Sequence, residues 1–434
     1  MGAARRALAG ATLLVVTATA CVSPSRERAQ PESPTARPIA HPTASTLSVE
    51  RLRAIARDVL AKRAWAVRNG DRTLFMSLID DGNSAFVAHE QQVFTNTQRL
   101  DFSIFGYSVL NTGVDPQTAT VDGEVFLAWI VERYTIAGQA RIPIGHAMVL
   151  TFVHRGTGWL ISSDSDADDR LTVDLHQAPW QRDDFQVVTD QGVVVLGAGD
   201  AGAISRMRAI ASAAVGAVDR VEATLGIQAP SRVVVDASPQ LARFDNQPNV
   251  IAVSHWTTSR VRGWQRGGRA EKLAAMWLAV NPDYSGETGG RNTVLLTHEI
   301  TQVVLGRWSG AVPSWMVEGV AEFVAETSVP PDLRLDRSAA VLQAAAGVAH
   351  MPSSGTFYTV DVNFNYALSW MACDLIASRY GADMLVSMYK QMNARDDADD
   401  PDIEAAQIVS DRLGISIAQL ASQSARRLVR QLGP

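Results

Sequence analysis

The sequence predicts an α+β protein with two folded units, and three observations carry this. Its 434 residues, 47% hydrophobic and 19% charged, exceed one typical domain and hold enough apolar material for two cores. A helical hydrophobic period near the start gives way to a period of two after about residue 100. From Trp180 short apolar strands and long amphipathic helices begin again.

The chain begins with Arg5 and Arg6, followed by an apolar run from Ala7 to Ala20. At about fourteen residues this run is shorter than the roughly twenty a spanning helix needs, so residues 1–20 read as a signal peptide for export. The segment Ala18-Thr19-Ala20-Cys21 resembles the lipobox of bacterial lipoproteins, although leucine is usual where Ala18 stands. That resemblance implies lipidation of Cys21 and an outward-facing protein held on the cell membrane. Residues 21–46 then form the anchor and a tether rich in Pro, Ser, Thr and Ala, too poor in large apolar groups to build a core. The second of the two cysteines, Cys373, lies in an apolar stretch and reads as buried helix packing. A net charge of -6, with no basic run beyond the extreme N-terminus, argues against nucleic acid as a partner.

Residues 47–168 form the first unit. Leu52, Ile55, Ala56, Val59, Leu60 and Trp65 repeat at helical spacing up to Asn69-Gly70, and two shorter helical stretches follow. Runs at Asp101 to Leu110, Thr118 to Tyr134, Ile142 to His154 and Gly158 to Ser162 alternate as antiparallel strands. This order, ending in Gly-Trp-Leu-Ile-Ser, resembles the nuclear transport factor 2-like fold, which implies a cone-like curved sheet around helices. Such folds serve many functions, so the likeness assigns none. His146, His154, Asp164, Asp166 and Asp168 have ligand chemistry but read as packed histidines and an acidic linker.

The second unit spans residues 180–434. Strands are expected at Gln186 to Val188, Val193 to Leu196, Arg232 to Asp236, Val250 to Ser254 and Ala274 to Val280. A helix from Ala201 to Gly226 presents Ile204, Met207, Ile210, Ala214, Val218 and Val221 along one face.

Leu295 to Leu305 reads LLTHEITQVVL, which puts His298 and Gln302 four residues apart on one helical face. In an H-E-x-x-H motif two histidines at this spacing hold zinc, and the glutamate between them polarises the attacking water. Here the sequence is H-E-x-x-Q. A short loop later comes W-x-x-E-G-x-A-E-F, from Trp315 to Phe323. Together the two motifs resemble the peptidase MA-like gluzincins, zinc metallopeptidases that take a third ligand from a second helix. The resemblance implies a gluzincin-like C-terminal domain with His298, Gln302 and Glu318 around Zn2+, Glu299 as general base and Glu322 orienting a ligand. It also places the strand before Asn281-Pro282 at the sheet edge that aligns substrate. The stretch from Tyr366 to Ala372 resembles the following helix, whose tyrosine reaches the oxyanion, making Tyr366 the candidate.

An amide oxygen is a poorer zinc donor than imidazole nitrogen, so Gln302 lowers the expected affinity unless another group such as His255 or His350 steps in. Three readings follow: an active peptidase on a peptide or protein substrate, a catalytically inactive homologue that binds peptides or cell-envelope partners, and a scaffold whose N-terminal unit is the working surface. Retention of Glu299 favours the first, since a pure binder has no evident use for a base there.

Overall fold

The computed structural model describes residues 47–114, 124–139, 143–165, 178–238, 252–259, 272–280, 290–327, 329–330, 334, 336–394 and 400–433. The segments expected to be signal peptide and tether, with Cys21, lie outside them, as do Asp166, Asp168 and Asn281-Pro282. None of the described helices is long and apolar enough to cross a membrane.

Helix α1 (Val49–Asn69) starts on Ser48, whose hydroxyl accepts from Arg51 N, and stops at Gly70 in the left-handed region with φ of 66°. That stop matches the Asn-Gly signal, because glycine takes this conformation without a Cβ clash. The buried stripe runs through Leu52, Ala56, Val59, Leu60, Arg63, Ala64 and Val67. Trp65, expected on it, is 47% exposed, and the stripe instead buries Arg63, whose charge is met by Glu90 at 2.7 Å. After α2 (Arg72–Met76) and α3 (Ser84–Thr97), four antiparallel strands follow in sequential order. They are β1 (Phe102–Gly113), β2 (Val125–Ile136), β3 (Ile144–Arg155) and β4 (Gly158–Ser163). The early part of the run expected from Thr118 lies outside the described residues. His146 is buried, stacked on Tyr134 at 5.6 Å between ring centroids, and is thus a packed histidine. Asp164 sits 3.4 Å from His89.

The second sheet comprises β5 (Phe185–Asp190), β6 (Val193–Ala198), β7 (Val233–Asp236), β8 (Ala252–Ser259) and β9 (Lys272–Val280). Its order is β5-β6-β7-β9-β8, with β6, β7 and β9 parallel and the two outer pairs antiparallel. The strand before Asn281 is therefore not the edge: β8 pairs along β9 from Ala252 to Ser259 and takes the outer position. Between β6 and β7 runs α4 (Ala201–Leu225), started by the Asp200 carboxylate accepting from Ala203 N and ended at Gly226 with φ of 63°.

Alternation along these strands sends their side chains into two cores. Val193, Val195, Val233, Val235, Leu278 and Val280 pack with α4 and the C-terminal helices. Val194, Leu196, Val234 and Ala279 pack with Ala64, Phe75, Phe105 and Tyr134 of the first unit. The two sheets thus share one apolar interior. Trp180, in a short turn leading into β5, is fully buried there, with its ring 4.6 Å from Tyr134 and its carbonyl accepting from Asn96 Nδ2 at 2.9 Å.

Among the described residues seven helices follow: α5 (Gly290–Leu305), α6 (Ser314–Thr327), α7 (Ser338–Ala345), α8 (Val362–Tyr380), α9 (Ala382–Ala394), α10 (Pro401–Leu413) and α11 (Ile417–Leu432). Helix α5 lies against β8, β9 and α4, while α6 packs between α5 and α8. Every residue of α6 from Trp315 to Glu326 is buried, so it forms the centre of this half.

Candidate functional site

Helix α5 is apolar on most sides yet buries Thr297, His298, Glu299, Thr301 and Gln302. Polar groups removed from water need partners, and for two of these the partner is on α6. His298 Nε2 lies 3.0 Å from Glu318 Oε2, Gln302 Nε2 donates to the same oxygen at 2.9 Å, and the two nitrogens are 3.0 Å apart. Three side chains from two helices thus converge on one point, the three expected from the motifs. The i, i+4 spacing on α5 supplies two of them, and the crossing of α6 supplies the third.

The other ring nitrogen of His298 is held as well. Nδ1 lies 3.2 Å from Glu322 Oε1, one turn beyond Glu318. The second oxygen of Glu322 accepts from Arg337 Nη2 at 2.5 Å, and the same nitrogen lies 3.6 Å from Glu326 Oε1. Burial opposes a charge on His298, but the hydrogen bonds to Glu318 and Glu322 outweigh it and hold the imidazole well above its ordinary pKa. Burial likewise opposes ionisation of Glu322, and Arg337 with His298 holds that carboxyl below the usual range.

Glu318 is fixed from the far side by Tyr358, whose hydroxyl donates to Oε1 at 2.7 Å. Tyr358 stands on the loop before α8. Asn365 Nδ2 donates to the carbonyls of Phe357 at 2.9 Å and Val360 at 2.7 Å, tying that loop to the helix. Its other end is clasped by α10, where Asp402 accepts from Ser354 Oγ at 2.7 Å and from Ser354 N at 2.8 Å. Tyr366 is buried on α8, with its ring 5.2 Å from Phe357 and 6.1 Å from His298. Glu299 is buried beside the convergence on α5.

Of the two substitute ligands considered, His350 is exposed beyond α7, away from this group, and the His255 side chain lies outside the described part of the structure. Cys373 packs in the interior with Sγ 3.9 Å from Met316 Sδ, the packing role expected of it. Tyr358 and Arg337 were not indicated by the motifs. Both reach the site from connecting segments, where neither period nor spacing marks them.

Among the described residues no set of three His, Cys, Asp or Glu side chains is arranged to hold a metal ion. Any cation here would rest on His298, Glu318 and the Gln302 amide. The held Nδ1 leaves Nε2 facing the other donors, the support that metal-binding histidines have. Gln302 presents its nitrogen to Glu318, so it would have to turn Oε1 inward to serve as a ligand. With that half-turn the donors, one imidazole and two oxygens, fit a divalent transition ion, more weakly than two imidazoles would. Searches with the chain against protein-family models, curated proteins and solved structures give no match in any of the three.

Proposed function

We propose that the chain is an exported, membrane-tethered zinc metallopeptidase of gluzincin type that hydrolyses peptide bonds. The observation that carries this reading is the meeting of His298, Gln302 and Glu318 within 3.0 Å, with His298 Nδ1 held by a carboxylate behind it. The N-terminal unit, nuclear transport factor 2-like in its helix and strand order, stands between the tether and the catalytic unit.

His298 and Glu318 would hold the ion, with Gln302 as a third, weaker donor. Zinc, when bound, lowers the pKa of water toward neutrality and polarises a carbonyl. Glu299 takes the proton from the attacking water and returns it to the leaving amine. Glu322 fixes the ring of His298, and Tyr358 fixes the carboxylate plane of Glu318. Tyr366, packed beside His298, is the candidate to donate to the oxygen that becomes negative.

A second reading has its own support. Gln302 Nε2 donates to Glu318, and His298 with a raised pKa is satisfied as an imidazolium between two carboxylates. A histidine whose two ring nitrogens already meet carboxylates without a metal suits an inactive homologue that binds peptides.

Zinc content decides between them. The purified protein is loaded with zinc, dialysed and measured by elemental analysis beside His298→Ala. Near-stoichiometric zinc that disappears in the variant supports the peptidase, and cleavage of a mixed peptide library then completes the case. Zinc absent from both proteins transfers the assignment to the peptide-binding homologue.

A further inference from the structure

We propose that Arg337 is a positioning residue for His298, acting through Glu322. The inference rests on the metal-site reading for its functional meaning, but its geometry does not depend on that reading.

Arg337 immediately precedes α7, and its side chain is as buried as that of Glu322, each 7% exposed. Glu322 has two oxygens with two different obligations. Oε1 meets His298 Nδ1 at 3.2 Å and Oε2 meets Arg337 Nη2 at 2.5 Å. A glutamate side chain has three rotatable bonds, and a single contact to an imidazole would leave the carboxylate free to swing. A second contact from the opposite side fixes its plane, and through it the ring of His298. Arginine suits this task because its planar guanidinium directs N–H groups at carboxylates.

Glu318, Glu322 and Glu326 repeat every four residues along α6, so they lie on one stripe of a fully buried helix. Like charges stacked this way repel, and Arg337 meets the second and third members. The alternative role for Arg337 is thus charge compensation of Glu326, with no consequence for His298. The difference lies in what responds to its loss.

The test measures zinc affinity by chelator competition and the ¹⁵N signals of histidine-labelled, metal-free protein, with His298 assigned through His298→Ala. Removing a partner that orients a ligand typically lowers metal affinity about 10–100-fold. Arg337→Met is expected to lower zinc affinity by about 10-fold, and the double variant with Glu322→Gln to fall no further than Glu322→Gln alone. The His298 Nδ1 signal should shift in Arg337→Met, recover partly in Arg337→Lys and stay in place in Glu326→Gln. If Arg337→Met does not fold, Arg337→Lys carries the comparison, with a smaller loss in the same direction. Unchanged affinity and an unchanged His298 spectrum in Arg337→Lys and Arg337→Met, whatever the fall in melting temperature, would overturn the proposal. A wild-type protein that binds no zinc overturns the peptidase reading instead, and the metal-free spectrum still decides the role of Arg337.

Discussion

A β-carbon built on Gly319 would stand 2.6 Å from the carbonyl oxygen of Ser369 and 2.7 Å from Cys373 Sγ. Helix α8 therefore crosses α6 at the glycine that follows Glu318, and the glycine of W-x-x-E-G is there for packing. The Ser369 carbonyl belongs to the backbone of a buried helix and cannot move aside alone. Overpacking of this kind typically costs about 1–3 kcal/mol. Gly319→Ala should lower the urea midpoint without changing the slope, and because α6 must shift, zinc affinity should fall with it. A variant as stable as wild type would mean that α6 and α8 pack less closely than described.

Gln302 is 1% exposed and directs an amide nitrogen at Glu318 Oε2. Replacing it by histidine substitutes a nitrogen ligand for an amide at the same i+4 position. Gln302→His should raise zinc affinity by at least about 10-fold, read by chelator competition. Failure to gain affinity would show that the turn of α5 no longer aims position 302 at the ion.

Glu299→Gln addresses the chemistry separately. The amide cannot accept a proton, so turnover of any cleaved peptide should fall to background while bound zinc and melting temperature stay as they were. Undiminished turnover would remove Glu299 from the role of base.

Much of this was legible beforehand, and the failures have physical causes. The helix stops at Gly70 and Gly226 were readable because termination at glycine is local chemistry. His298 and Gln302 were readable because a helix turns positional spacing into a face, whereas Glu318 was indicated by the motif resemblance alone. Trp65 was misplaced because the α1 stripe admits Arg63, an arginine buried with Glu90 from α3, a pairing that periodicity cannot anticipate. The edge position went to β8 because it pairs along the outer side of β9, a long-range pairing that the motif after β9 does not encode. Tyr358 meets Glu318 from 40 residues downstream, held by Asn365 and the Ser354–Asp402 clasp, a relation that exists only after folding.

Glu132 on β2 gives a pH-dependent prediction. Burial pushes its carboxyl up to about 7, offset in part by Arg63, Tyr107 and Trp180. The folded state therefore keeps this proton to higher pH than the unfolded chain, whose carboxyl ionises near its ordinary value. Stability falls as pH rises between those two values, and above about pH 7 the full penalty is present. The shift corresponds to about 3 kcal/mol. Glu132→Gln should thus unfold at higher urea than wild type at pH 8, with the gap closing below about pH 5. A gap independent of pH would mean that the carboxyl titrates alike in both states.

Trp180 tests whether the two units unfold together. Its indole lies among Phe102, Phe105 and Tyr134, while β6, paired with the strand that follows Trp180, sends Val194 and Leu196 to the same core. The link is reinforced where Arg232 N donates to Gly138 O at 2.9 Å, joining the β2–β3 turn to the approach of β7. Truncating a buried tryptophan typically costs about 3–5 kcal/mol. Because that interior belongs to both sheets, Trp180→Ala should lower one shared unfolding transition. Tryptophan fluorescence and far-ultraviolet circular dichroism should report the same midpoint in wild type and variant. Two separated transitions, with only the earlier one moved by the substitution, would show that the shared core contributes little and that each unit holds its own fold. In that case the contacts among His298, Gln302 and Glu318 on α5 and α6 would persist while the N-terminal sheet melts.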